Sequence, residues 1–169
     1  MEVHKSSKTR QWVQLAMAAS IAFVVGVSFT MWQQNNLLDL SKQAIAHVRQ
    51  EGDYALGAQE NISLQQVNAK LAKFGGELSE DIGRVYYANF CDFENVRSLH
   101  MVVAGENGKI SVFIVPHNEG YLPEGSSQDN QYNSQAVDMQ RASIIVVGEE
   151  GTNVSKMKQP LSEKMQFSI

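Results

Sequence analysis

Hydrophobic and polar positions are unevenly distributed along this chain, and one long apolar stretch stands near its start. No charged residue occurs from Gln11 to Leu38. As a helix, residues 12–32 would be about 31 Å long, close to the roughly 30 Å hydrocarbon core of a bilayer. Trp12 and Trp32 lie at the two ends, where aromatic side chains favour the water–lipid interface. The pattern predicts a transmembrane helix over residues 12–32, in contact with membrane lipid.

The residues before this stretch indicate its orientation. Lys5, Lys8 and Arg10 precede it, and positive charge flanking a span favours the cytoplasmic side. A cleaved signal peptide and a buried soluble helix are the alternatives, but the former has a shorter apolar core and the latter rarely stays uncharged for so long. We therefore expect a single-pass protein of the inner (cytoplasmic) membrane. Residues 1–11 would be cytoplasmic, and the C-terminal domain would lie in the periplasm if the host is Gram-negative.

Helical spacing continues beyond the apolar stretch. Apolar residues recur at Leu37, Leu38, Leu40, Ala44, Ile45 and Val48. We interpret residues 33–60 as a helical stalk to about Gln50 followed by a linker. A second helix is predicted from the N-cap residue Ser63 to Phe74, where Gly75 follows. We expect residues 61–169 to form the exported, extracytoplasmic domain.

The next segments are typical of β-strands. The aromatic run from Arg84 to Cys91 predicts one strand, and Asn107-Gly108 suits a type I′ hairpin turn. That turn places Val103 opposite Val112 and divides the hairpin side chains between two apolar faces. One face carries His100, Val102, Phe113 and Val115. If helices cover only the opposite face, these four residues are a candidate partner surface.

The C-terminal third predicts a loop, a strand and a helix. Residues 118–138 are polar and rich in Gly, Ser, Asn and Gln, which predicts a long loop. Arg141–Gly148 reads as the last strand, and a helix starting near Asn153 is expected to kink or break at Pro160. The fold class predicted is α+β: one N-terminal transmembrane helix, then a small domain with a mainly antiparallel sheet of about four strands and flanking helices.

Charge narrows the range of partners. The chain has 14 basic and 18 acidic residues, and all but three basic and one acidic residue follow the apolar stretch. The acidic body argues against nucleic-acid binding, which needs a basic surface. With nucleic acid excluded, we expect a protein partner. The small residues Ala22 and Gly26 would also allow a homodimer through the transmembrane helix.

No pattern of catalytic or metal-binding residues emerges. Cys91, His100, His117 and Asp92 lack the paired spacing of structural zinc sites. Cys91 is the only cysteine, and nucleophilic catalysis would also require an adjacent histidine and an orienting group. We therefore predict no catalytic residue, metal or cofactor, with Cys91 and His100 as the remaining candidates for a reactive site.

The chain resembles an uncharacterised family of bacterial single-pass inner-membrane proteins. The resemblance rests on four stretches that together cover nearly the whole chain: LAMAASIAFVVGVSFT, NISLQQVNAKLAKFGGELSEDIGRVYYANFC, SLHMVVAGENGKISVFIVP and IIVVGEEG. More distantly, the layout is similar to that of membrane-anchored anti-sigma factors. The matching pieces are the helix Leu64–Phe74, the strand entry Gly83-Arg84 and the turn Gly108-Lys109. These motifs are structural, so they imply a fold more than a function.

The predicted topology, the absence of a catalytic pattern and the resemblance together lead to one main functional expectation and two alternatives. The main expectation is a non-enzymatic, membrane-anchored periplasmic sensor or regulatory domain that acts like an anti-sigma factor. Only about ten residues precede the span, so a sigma-binding domain would either precede this chain or be dispensable. The alternatives are an inner-membrane scaffold that binds an envelope protein, and a periplasmic metal- or redox-sensing domain that uses Cys91 and His100.

Overall fold

The computed structural model describes residues 17, 19–31 and 37–168, which belong to two compact units, Met1–Leu37 and Leu38–Ile169. In the first unit, residues 19–31 are helical (α1). Among the described residues, no helix combines the length and the apolar character needed to cross a membrane. Trp12 and Trp32, at the ends of the predicted span, lie outside the described part of the chain.

Within residues 38–168, the described part of the second unit, there are three α-helices and ten strands. The helices are α2 (Leu40–Gly57), α3 (Leu64–Leu71, extended by a 3-10 turn Ala72–Phe74) and α4 (Ser155–Lys164). The strands are β1 (Leu38–Asp39), β2 (Gly76–Leu78), β3 (Val85–Phe93), β4 (Val96–Gly105), β5 (Gly108–Pro116), β6 (Tyr121–Leu122), β7 (Gly125–Gln128), β8 (Tyr132–Asp138), β9 (Ala142–Glu149) and β10 (Met165–Phe167).

Six of these strands form one antiparallel sheet in the order β3-β4-β5-β9-β8-β7. The α+β class and the antiparallel sheet are therefore confirmed, whereas the expected number of about four strands is wrong. The additional strands β7 and β8 lie within residues 118–138, which the sequence predicts as a loop. On β8, Tyr132, Ser134 and Ala136 are buried and alternate with more exposed residues. Because one of the buried residues, Ser134, is polar, the alternation of apolar and polar residues that marks a strand is not visible in the sequence.

Helix α2 packs on one face of the sheet. Asp39 caps it by accepting hydrogen bonds from the backbone N–H groups of Ser41 and Lys42. Its buried stripe and the sheet residues beneath it form one cluster: Leu40, Ala44, Ile45, Val48, Phe93, Phe113, Val115, Tyr132, Ala136, Ile145 and Val147. The segment predicted as a stalk and linker is thus an integral part of the domain as far as Gly57. The periodicity of the stripe was visible in the sequence, but the surface that it packs against was not.

The opposite face of the sheet is covered by α3, α4 and the short pair β2–β10. Ser63 is the N-cap of α3 and Gly75 ends the following 3-10 turn with φ +70°, as the sequence predicts. The structure adds a capping box between Ser63 and Gln66. The largest fully buried side chains on this side are Leu71, Leu78, Leu99, Met101, Ile114, Ile144 and Leu161. Helix α4 runs through Pro160. The unit is a three-layer arrangement with apolar clusters on both sides of the sheet.

The turn between β4 and β5 differs from the predicted one. Gly105 pairs with Gly108 and Val103 pairs with Ile110, so the turn is centred on Glu106-Asn107 and not on Asn107-Gly108. A Cβ atom on Gly105 would lie 2.6 Å from Cδ1 of Ile110, so a larger residue at this position would force the Ile110 side chain to shift. Moving the turn by one residue shifts every partner by two, and the assignment of side chains to the two faces is unchanged.

The tight turn with positive φ angles occurs one hairpin earlier. Phe93 pairs with Val96, and the two residues between them, Glu94 and Asn95, have φ of 50° and 66°. Among the described residues, they are the only non-glycine residues with positive φ. These are the angles of a type I′ turn. The β3–β4 hairpin therefore has the turn type that the sequence analysis assigned to β4–β5.

Candidate functional site

His100 lies in the middle of β4 with its side chain beneath α2. Alternate residues of this strand point to α2, and His100 is 0% exposed. Its ring stacks on Phe113 of the neighbouring strand, with 4.2 Å between ring centroids and an interplanar angle of 20°. Tyr87 lies 5.4 Å away in an edge-on arrangement. An aromatic enclosure thus fixes the orientation of the imidazole.

The two nitrogens of His100 have different environments. Nε2 lies 3.1 Å from Oγ of Ser111, whereas the buried Nδ1 has no hydrogen-bond partner among the described residues. Burial, assisted by the nearby His47, lowers the pKa of His100 to about 3, so the ring is neutral. With its proton on Nε2 and donated to Ser111, the ring has a free lone pair on Nδ1. Leaving such an atom unpaired costs about 1–3 kcal/mol.

Helix α2 brings two further polar side chains to the same place. His47 and Glu51 are one helical turn apart, which puts them on one face of the helix. Nε2 of His47 lies 3.1 Å from Oε2 of Glu51, yet its direction is not that of a hydrogen bond. The His47 ring packs on Phe93 and Phe113, with centroid distances of 5.5 and 5.2 Å. Contacts with the sheet hold His47 in place, whereas Glu51 extends towards solvent.

His47, Glu51 and His100 form the candidate site. Each offers one potential ligand atom, and these atoms all lie within 4.8 Å of one another. Two imidazoles and one carboxylate are a donor set that suits zinc and other divalent transition metals. The exposed fraction of the side chain is 13% for His47 and 45% for Glu51, so the site opens to solvent on the Glu51 side. A cavity of about 50 Å³ adjoins His47 on the side of Phe93 and Glu94, and neither Glu51 nor His100 lines it.

Cys91 is near this site but is poorly suited to nucleophilic chemistry. Its register partner is Ser98, and Asn89 is the residue that lies opposite His100. Burial first, and then the negative charges of Glu51 and Asp92, raise the pKa of the Cys91 thiol to about 12. A thiol with this pKa is protonated at neutral pH, and the thiolate is the reactive form.

The other residues singled out in the sequence have different positions. His100, Val102, Phe113 and Val115 are each 0% exposed, so the candidate partner surface is covered by α2. His117 does not join His100: its Nε2 lies 2.6 Å from Oδ1 of Asp138 at the surface. Asp92 is exposed.

Sequence reasoning missed His47 and Glu51. His100 is far along the sequence from His47 and Glu51. His47 was interpreted as part of a stalk and Glu51 as the start of a linker. A histidine followed four residues later by a glutamate on a helix was the available signal. This spacing alone is weak, because it does not show which residue supplies the third ligand.

A surface cleft away from this site has a different character. It has a volume of about 580 Å³ and lies beside β7, β8 and the start of α4. Its lining residues are Ser126, Ser127, Gln128, Asn133, Ser134, Gln135, Gly151, Thr152, Asn153, Val154 and Ser155. Since none of these side chains titrates near neutral pH, the lining offers hydrogen bonds but no general acid or base.

Comparison with known proteins identifies the family of the chain. No curated protein and no solved structure matches it significantly. The sequence pattern of a family described as "Protein of unknown function (DUF3379)" matches residues 1–165. Because this match extends over almost the whole chain, the protein belongs to the DUF3379 family.

Proposed function

We propose that this protein is a non-enzymatic regulatory or sensor domain, anchored in the inner membrane by its N-terminal apolar segment and folded on the periplasmic side. In this proposal it acts in the manner of an anti-sigma factor. The observation that carries the proposal is the exposed apolar surface of α1. The resemblance to membrane-anchored anti-sigma factors supplies the regulatory role.

The surface of α1 supports membrane anchoring. Of the ten large hydrophobic side chains exposed among the described residues, eight lie in the N-terminal unit, including Phe23, which is 72% exposed. Val24 and Val25 are exposed beside it. Soluble proteins rarely leave such a concentration of apolar side chains in water. A bilayer accounts for it, and the basic residues Lys5, Lys8 and Arg10 favour a cytoplasmic N-terminus.

The chemistry of the folded unit supports binding over catalysis. Burial keeps the Cys91 thiol protonated at neutral pH, and the cleft of about 580 Å³ beside β7 and β8 is lined by uncharged residues. Six strands covered on both faces make a rigid support for presenting loops to a protein partner.

Anchoring and orientation are tested with a C-terminally tagged full chain. We expect it to remain in the membrane fraction after an alkaline carbonate wash. The tagged domain should become sensitive to protease when the outer membrane is permeabilised, while a cytoplasmic marker stays intact. Replacing both Val24 and Val25 by Lys should release the chain, because each central charge costs about 2.5–3.5 kcal/mol of insertion. Gln65→Lys, on the exposed face of α3, is the control. A soluble wild-type chain would overturn the anchor.

The regulatory role requires a separate experiment. We expect the chain, extended by any in-frame upstream segment, to co-purify with a sigma factor, and its deletion to raise transcription from that factor's promoters. If neither occurs, the regulatory role is wrong, whatever the result for anchoring. Crosslinking to envelope proteins alone, with unchanged transcription after deletion, would favour the scaffold instead.

A further inference from the structure

We propose that His47, Glu51 and His100 bind one divalent transition-metal ion, with zinc as the test case, and that this ion joins α2 to the sheet. The inference does not depend on membrane anchoring or on a sigma factor. It also differs from a site built on Cys91 and His100, because both additional ligands come from α2.

The spacing of the three side chains suits a single ion. Ligand atoms on one tetrahedral zinc ion, with bonds of about 2.1 Å, lie roughly 3.4 Å apart. Nε2 of His47 and Oε2 of Glu51 already lie 3.1 Å apart. All three ligand atoms lie within 4.8 Å of one another. Small side-chain rotations would therefore bring the set to bonding distance.

The unpartnered nitrogen of His100 is the independent observation that points to a ligand. His100 is completely buried, and its Nδ1 lacks a hydrogen bond within the described part of the chain. Buried polar atoms almost always have a partner, so an exception calls for an unseen one. Nε2 of His47 is a second buried nitrogen without a hydrogen bond. One metal ion would satisfy both nitrogens.

A hydrogen bond and aromatic contacts orient the two histidine rings, as is usual for histidines that bind a metal. The ring nitrogen that does not bind a metal normally donates a hydrogen bond, which fixes the tautomer. Ser111 Oγ, 3.1 Å from Nε2 of His100, is positioned to accept that bond. Phe113 stacks on His100 and lies edge-on to His47. Both imidazoles are therefore pre-oriented.

The donor set indicates the class of ion and the openness of the site. Two imidazoles favour zinc, cobalt, nickel or copper over calcium and magnesium, which prefer oxygen ligands. Three protein ligands leave a fourth position for water or another donor, as in sites that exchange ligands. Glu51, with 45% of its side chain exposed, places that position on the solvent side.

The test uses the purified full chain in detergent, freed of metal with a chelator. Zinc is titrated against a chromophoric competitor, and cobalt is used as a spectroscopic probe. We expect one tightly bound zinc per chain, a cobalt spectrum typical of four-coordinate nitrogen–oxygen ligation, and a rise in Tm on adding zinc. His47→Ala, Glu51→Gln and His100→Phe should each weaken zinc binding at least tenfold.

Two controls keep this test decisive. His117→Ala removes a surface histidine paired with Asp138 and should bind zinc like the wild type. Glu51→Gln alters a half-exposed side chain, so its metal-free Tm should equal that of the wild type while the zinc-dependent rise is lost. Absence of zinc binding, or binding that the Glu51 and His47 variants leave unchanged, would overturn the proposal.

Discussion

Arg49 on α2 and Asp129 in the β7–β8 turn are joined by an ion pair, with 2.6 Å between Nη2 and Oδ2. Asp129 also accepts hydrogen bonds from the backbone N–H groups of Gln131 and Tyr132, at 2.8 and 2.9 Å. The same carboxylate therefore shapes the turn at one edge of the sheet and contacts the helix that covers the sheet.

The charge of Asp129 should make stability depend on pH. The N–H groups of Tyr132 and Gln131, and then Arg49, hold the pKa of this carboxyl below its ordinary value of 3.8. A lowered pKa stabilises the fold above the unfolded-state pKa, and the effect is lost as the pH falls through the folded-state pKa. Asp129→Asn should have a lower Tm than the wild type at pH 7, and the gap should close towards pH 2. A Tm difference that is the same at pH 7 and at pH 2 would contradict this prediction. Glu119→Gln, which also removes one negative charge, is the control.

The docking of α2 should be sensitive to side-chain size at Ala44. This residue lies on the sheet-facing side of α2 and is 0% exposed, so Ala44→Leu would force the helix away from the sheet. We expect the free energy of unfolding to fall by about 1–3 kcal/mol. Ala46→Leu, on the exposed side of the same helix, should change it by less than about 0.5 kcal/mol. Urea denaturation of both variants measures the difference, and equal effects would show that α2 is not packed as described.

The two hairpin turns should differ in their tolerance of a β-branched residue. Asn95 has φ 66°, so Asn95→Val should destabilise the protein by about 1–2 kcal/mol, because a side chain branched at Cβ crowds the carbonyl in the left-handed region. Asn95→Gly should be neutral or stabilising. Asn107→Val is the matched comparison in the β4–β5 turn and should cost less. If Asn107→Val lost more stability than Asn95→Val, the turn would lie at Asn107-Gly108, as the sequence predicted.

The Cys91 thiol should be unreactive in the folded, metal-free protein. A pKa of about 12 against the ordinary 9.0 means about a thousandfold less thiolate at neutral pH. Iodoacetamide labelling at pH 8 should be slow in buffer and fast in denaturing urea. Because the folded-state pKa is raised, the folded protein also loses stability as the pH rises above 9. Fast labelling of the folded chain would show that Cys91 is accessible and ionised.

Local sequence patterns predicted the helices and strands of this fold better than the tertiary contacts between them. The N-cap Ser63 and Gly75, which ends the 3-10 turn after α3, act on neighbouring residues, and both were predicted from the sequence. Strand β8 was missed because its inward-facing Ser134 is accommodated by a tertiary contact: its Oγ donates to the carbonyl oxygen of Ser41, 2.8 Å away on α2. No local pattern can show that a serine has such a partner.

The candidate site was hidden for the same reason. His100 was noted in the sequence, but a histidine on an apolar strand is more often a packed core residue. His47 and Glu51 become its neighbours only because α2 folds onto the sheet. The two faces of the β4–β5 hairpin were assigned correctly in spite of the shifted turn, since a shift of two residues preserves alternation.

The position of α2 has a consequence for how the chain acquires its structure. This helix is made early, yet the strands that it covers include β9, close to the end of the chain. During synthesis, the apolar stripe of α2 stays exposed until most of the domain has been made. Such non-local contacts also slow folding. A fragment that begins at residue 61 would lack the helix and leave Phe113, Val115 and Ile145 open to water. We expect such a fragment to aggregate, whereas adding α2 back as a separate peptide should rescue its solubility.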